Sequence, residues 1–180
     1  MAGRLSRVGS LGARLATAAL LIVPPGALTP APAGMRYVEG LRPALSYLRR
    51  STPDPGGLFD PTQRPAWAVL SDWSLGHLIV TLGERPVLAS PLGQTPPAEE
   101  ADLKVRAIFA MTDPPAAARL CRQSDLRYAL VYAPLPLPTG PPGTLKGMLL
   151  RGAPAKGFKE VFVDQQSDRI ARVYQIVEPD

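Results

Sequence analysis

Between Ala66 and Ala89 the spacing of apolar residues changes twice, and this limits the folds open to the chain more than any other feature. Residues 66–70 form a short apolar run between turn signals, the pattern of a buried strand. Leu75, Leu78, Ile79 and Leu82 then recur at i, i+3, i+4 and i+7, which is one face of a helix. Ser71 or Asp72 stands where a capping side chain would accept from an orphaned backbone N–H. Arg85-Pro86 stops that helix, and residues 87–89 offer a second buried strand. Strand, helix, strand with short joints is a βαβ unit, whose strands run parallel.

The rest of the pattern extends this core. Val38, Leu41, Leu45 and Leu48 predict a helix ending near Arg50, with Pro43 tolerable in a first turn. Residues 51–65 carry the turn chemistry of a loop. Residues 99–110 read as a helix, and Asp113-Pro114 starts another that runs to about Gln123. Residues 128–132 read as a third buried strand, 133–143 as a proline-rich surface loop, and 158–163 with 170–177 as a hairpin. The expected fold class is α/β: a single domain whose mixed sheet has a parallel βαβ core and a C-terminal β-hairpin. With 180 residues, a second independent core would be cramped.

Residues 1–34 differ in kind. An arginine-bearing flank precedes an apolar run at residues 15–23, then Pro24-Pro25-Gly26 and Ala31-Pro32-Ala33. The segment reads as a secretory signal with an A-x-A cleavage site, or as the tail of a membrane span, which wants about 20 apolar residues. A soluble leader is the plain alternative. Either membrane reading keeps the arginines cytoplasmic and sends residues 35–180 across as a soluble domain on the extracytoplasmic face, secreted or tethered to the membrane through the segment.

The formal charge of +5 is mostly an effect of this segment. Arg4, Arg7 and Arg14 precede every acidic residue, and the other 17 basic residues face 15 acidic ones. No basic stripe with interleaved aromatics accompanies them, so nucleic acid is not an expected partner. The single cysteine, Cys121, excludes an intrachain disulfide and a cysteine-based zinc site, and its apolar helical setting reads as a buried thiol. His77, the sole histidine, has no Cys, His or Asp partner at metal spacing and reads as a surface or satisfied side chain before a ligand. Glu99, Glu100 and Asp102 read as a solvated first helical turn. Nucleotide-binding glycine loops and serine-nucleophile elbows are missing.

In open α/β sheets ligands sit beyond the carboxyl ends of the strands. Here that edge gathers residues 71–74, residues 90–94 and the loop after Tyr132. Trp73 there is either a packing anchor or a ligand platform.

The segment W67-A-V-L-S-D-W-S-L-G-H77, followed by L82-G-E-R-P-V87 and A89-S-P91, resembles the signature region of oligosaccharyltransferase catalytic subunits. In that family a Trp-Trp-Asp-Tyr-Gly motif opens a helix and an Arg-Pro-Val strand follows. Residues 44–53 resemble the helix before it and residues 101–132 the helices and strand after it, so the similarity spans about residues 35–133. Trp73 matches the second tryptophan and Gly76 the glycine, whereas Asp72, Ser74 and Leu75 stand where the family has Trp, Asp and Tyr. The resemblance is to the C-terminal extracytoplasmic domain of bacterial membrane glycosyltransferases of this type. It implies an acceptor-side contact at Asp72, Trp73, Ser74, Gly76 and His77, and a membrane-embedded glycosyltransferase half as partner. No catalytic residue and no cofactor is expected in this chain, because the family's carboxylates and divalent metal lie between membrane spans outside this region. A secreted or tethered α/β interaction module without a transferase role is the alternative function.

Overall fold

The structure is a computed structural model that describes residues 33–60, 62–91, 96–137, 141 and 143–179. The apolar run at residues 15–23, read from sequence as a signal or membrane segment, lies outside these residues. Among the described residues no helix is long and apolar enough to cross a membrane.

Helix α1 (Ala33–Ser51) buries Leu41, Ala44, Leu45 and Leu48 along one stripe. It begins earlier than its apolar spacing indicated, and Pro43 therefore sits in the helix interior. The exposed ring removes one donor there, leaving the carbonyl four residues back without its usual helical partner. Strand β1 (Ala68–Ser71) leads through a single 3-10 turn (Trp73–Leu75) into α2 (Gly76–Leu82). The expected strand at 87–89 is reduced to one parallel bridge, Val69 to Val87. Two hydrogen bonds make it, Val69 N to Pro86 O at 2.8 Å and Leu88 N to Val69 O at 3.4 Å. Pro86 has no N–H to lengthen the ladder, and Ala89 and Ser90 pack instead under the start of α2 against Gly76.

Helices α3 (Pro96–Ala110) and α4 (Pro114–Gln123) follow, the latter capped as its Asp-Pro start demands: the Asp113 carboxylate accepts from Ala116 N at 3.2 Å. Strand β2 (Leu126–Pro134) pairs in parallel with β1. Helix α5 (Leu145–Arg151) has no counterpart in the sequence reading. Thr144 caps it, and Gly152, in the left-handed region at φ 65°, closes it. Strands β3 (Phe158–Gln165) and β4 (Arg169–Ile176) form the antiparallel hairpin. The sheet order is β1-β2-β4-β3. The chain is thus a single α/β domain with a four-stranded mixed sheet, β1 and β2 parallel and the other pairs antiparallel.

Side-chain alternation divides two cores across this sheet. Leu70, Ala129, Val131, Ala133, Ile170 and Tyr174 join the layer of α3, α4 and α5. Val69, Tyr128, Leu130, Ala171 and Val173 join α1 and α2. Burial on both faces explains why β2 is nearly continuous in apolar residues. The Tyr174 hydroxyl, buried in the first core, donates to Leu149 O at 2.6 Å and ties β4 to α5.

Candidate functional site

The carboxyl end of β1 sets the site. Ser71 is the last residue of the strand, and the 3-10 turn that follows exposes Trp73 and Ser74 while Leu75 returns to the core. Ser71 points into the protein, with 1% exposure and no hydrogen-bond partner for its hydroxyl among the described residues. Neither Ser71 nor Asp72 caps the following helical turn with its side chain, contrary to the expectation from sequence. The Asp72 carboxylate is held instead by α5, accepting from Lys146 Nζ at 2.7 Å.

Trp73 is 41% exposed, which settles its choice between core anchor and surface ring in favour of the surface. The buried tryptophan is Trp67, 5.1 Å from the Tyr128 ring and beneath the Arg85 guanidinium at 5.8 Å. Ser74 is exposed, and its hydroxyl hydrogen-bonds the phenol of Tyr37 on α1. Burial raises the Tyr37 pKa; the Ser74 hydrogen bond opposes that, and nearby Tyr132 and Asp72 add to it. Tyr37 meets Tyr132 edge to face with centroids 5.1 Å apart, so α1 and the end of β2 brace the turn from one side.

From the other side come α3 and α5. Asp72, Trp73, Ser74, Asp102, Val105, Arg106 and Lys146 line an open cleft of about 490 Å³. Asp102, expected as part of a solvated helical turn, is ion-paired one helical turn along with Arg106 at 2.7 Å, and its side chain is only 19% exposed. Lys146 lies 5.8 Å from the Phe109 ring centroid, which adds a cation–π contact to its pair with Asp72.

Of the five residues singled out from the sequence, Asp72, Trp73 and Ser74 share this cleft; Gly76 and His77 do not line it. Gly76 has a positional role: a methyl group on its α-carbon would collide with the backbone of Ala89 and Ser90. His77 is half-buried, with Nδ1 enclosed and without a partner, and its backbone carbonyl accepts from the Thr81 hydroxyl at 2.7 Å. Residues 92–94 of the expected edge lie outside the described residues. Among the described residues no three of His, Cys, Asp and Glu gather as a metal ligand set. Cys121 is fully buried, and burial pushes its thiol up to about 12.

Lys146 was invisible to spacing arguments, whereas Arg106 stands at i+4 from Asp102 on the helix expected at 99–110. Lys146 reaches Asp72 across 74 positions of sequence. The Thr144 and Gly152 caps around Leu145 and Leu149 were the available signal that a helix would carry it there.

No family model matches the sequence. No curated protein matches it either. Its structure is similar to the C-terminal globular domain of an oligosaccharyltransferase from Archaeoglobus fulgidus, with a TM-score of 0.56 and 14% sequence identity. The match covers 76% of this chain and 96% of that one. At that identity the likeness is one of architecture, and it establishes that the chain folds as that globular domain does.

Proposed function

We propose that this chain is the soluble, extracytoplasmic domain of an oligosaccharyltransferase-like membrane glycosyltransferase. Its cleft at the carboxyl end of β1 serves as a contact surface for the acceptor or for the membrane-embedded half, and the transfer chemistry belongs to that other half. The observation that carries this reading is the fold likeness over nearly the whole of the Archaeoglobus domain. The D72-W-S-L-G-H77 segment, read from sequence as the counterpart of the family's recognition motif, supports it by lying at the strand end where α/β folds place ligands.

The chemistry of the cleft suits contact better than turnover. Its carboxylates are held in ion pairs rather than set free as bases, and the only thiol is sealed in the core. Residues 1–34 tether the domain to the membrane or export it. The divalent metal that such enzymes use would be bound by the membrane half.

Two measurements test this. Alkaline phosphatase fused after Gly34 is expected to be active, because that reporter matures only outside the cytoplasm; an inactive fusion overturns the extracytoplasmic placement. The purified chain, incubated with a lipid-linked sugar donor, is expected to transfer nothing; detectable transfer overturns the division of labour and moves catalysis into this domain.

A further inference from the structure

The cleft beside Trp73 holds two basic and two acidic side chains, and they are already matched. Lys146 Nζ binds Asp72 Oδ1 at 2.7 Å, and Arg106 Nη2 binds Asp102 Oδ2 at 2.7 Å. The lining therefore carries no net charge. A phosphate or an acidic peptide entering it would lie against the Asp72 and Asp102 carboxylates with only already neutralised cations to offset them, a repulsive arrangement that acts against anionic ligands. A neutral occupant keeps both pairs.

Each pair sets a donor beside an acceptor at the surface of the cleft. Two adjacent hydroxyls on one ring complement such a couple, one donating to the carboxylate and the other accepting from the N–H group. Trp73, at 41% exposure, supplies the remaining element, a flat apolar surface on which the C–H face of a ring can lie. The lining comes from the 3-10 turn and from helices α3 and α5, so it offers no free strand edge to the main chain of an extended peptide. The volume of about 490 Å³ is that of a small-molecule site.

The geometry points to a neutral saccharide as the occupant, stacked on Trp73 with neighbouring hydroxyls bridging the Asp72–Lys146 pair and reaching toward Asp102–Arg106. This inference rests on the reading of the cleft as a recognition surface and names what it recognises.

The test follows the two tryptophan indole N–H resonances of the full chain during titration with millimolar cellotriose, chitotriose and mannotriose. A saccharide ligand shifts the Trp73 signal and leaves that of the buried Trp67 in place. The double variant Asp72→Asn/Lys146→Met, which removes both charges together, raises the dissociation constant at least tenfold with the melting curve retained. Arg106→Gln gives a smaller rise and serves if the double variant does not fold. Absence of any Trp73 shift with all three sugars overturns the inference. If a Ser/Thr-containing peptide moves Trp73 and the sugars do not, the saccharide assignment falls while the recognition surface stands. If neither moves it and Trp73→Ala leaves assembly with the membrane half intact, both fall.

Discussion

Arg85 offers the most direct measurement of how this domain is held together. Its residue is 6% exposed and its guanidinium makes four hydrogen bonds. Nε donates to the Thr52 hydroxyl at 2.9 Å, Nη1 to Glu84 O at 2.7 Å, and Nη2 to Arg49 O and Thr52 O, both at 2.9 Å. Arg49 O lies in the last turn of α1, and Thr52 follows it, so the side chain caps that helix from a loop on the far side of β1. Burial lowers the Arg85 pKa, with Asp54 and Glu84 opposing it, which marks the charge as costly to keep there. Arg85→Met removes the donors and leaves the acceptors enclosed. A hydrogen bond to a charged donor is worth about 1.5–3 kcal/mol net, but these four share one guanidinium and do not add, and relief of its burial offsets part of the loss. The expected net loss is about 3 kcal/mol, or roughly 10 °C in melting temperature for a domain of this size. Arg85→Lys retains the charge but reaches fewer of the acceptors and should lose about 2 kcal/mol. Urea titrations followed by circular dichroism measure both. A loss under about 1 kcal/mol for Arg85→Met would refute the argument, because cost and gain would then cancel without the helix end depending on the side chain.

The two tryptophans should separate cleanly in the same assay. Trp67→Ala empties a buried site against the tilted Tyr128 ring and is expected to cost about 4 kcal/mol, whereas Trp73→Ala should cost about 1 kcal/mol; equal losses would return Trp73 to the core. Cys121 should resist a thiol reagent at pH 8 in the folded chain and react at once in denaturant. Burial pushes its thiol up from the ordinary cysteine range to about 12, so the folded state holds the proton more tightly. Its contribution is fully present below pH 9 and falls away as pH rises toward 12, by about 1.4 kcal/mol per pH unit at most. Cys121→Val should flatten that part of the stability profile, and an unchanged slope would contradict the buried thiol.

Period and punctuation made most of the fold legible. The strand read at 66–70 lies at Ala68–Ser71, the Asp113-Pro114 start and the terminal hairpin lie where their patterns placed them, and of the stripe Leu75, Leu78, Ile79 and Leu82 the first three are buried while Leu82 is 41% exposed. The failures have local causes. Residues 87–89 satisfy the composition of a strand, yet Pro86 and the packing of Ala89 under Gly76 limit them to one bridge. Helix α5 has only seven residues, too few for a periodic signal, and follows a proline-rich stretch that suggested irregular chain throughout. Of the site, the strand-end rule found Asp72, Trp73 and Ser74 because they are contiguous. It could not find Lys146, Arg106 or Tyr37, which arrive from three other helices. Nor could composition say which tryptophan was buried, since that depends on whether the chain is still in β1's vicinity or has entered the turn beyond it.

The sheet order has a consequence for how the domain is made. Strand β4 follows every other strand in the chain, yet it lies between β2 and β3, pairing with both. Until residues 169–176 are available, the older half of the sheet ends on an open β2 edge and β3 has no neighbour. A chain emerging from the ribosome or a translocon therefore carries an unfinished sheet with Val131, Val173's future partner Leu130 and Tyr128 unsealed, the condition in which exposed strand edges recruit the wrong partner. Assembly is completed when β4 joins β3 to the open edge of β2, and a break that removes β4 would divide the sheet rather than shorten it.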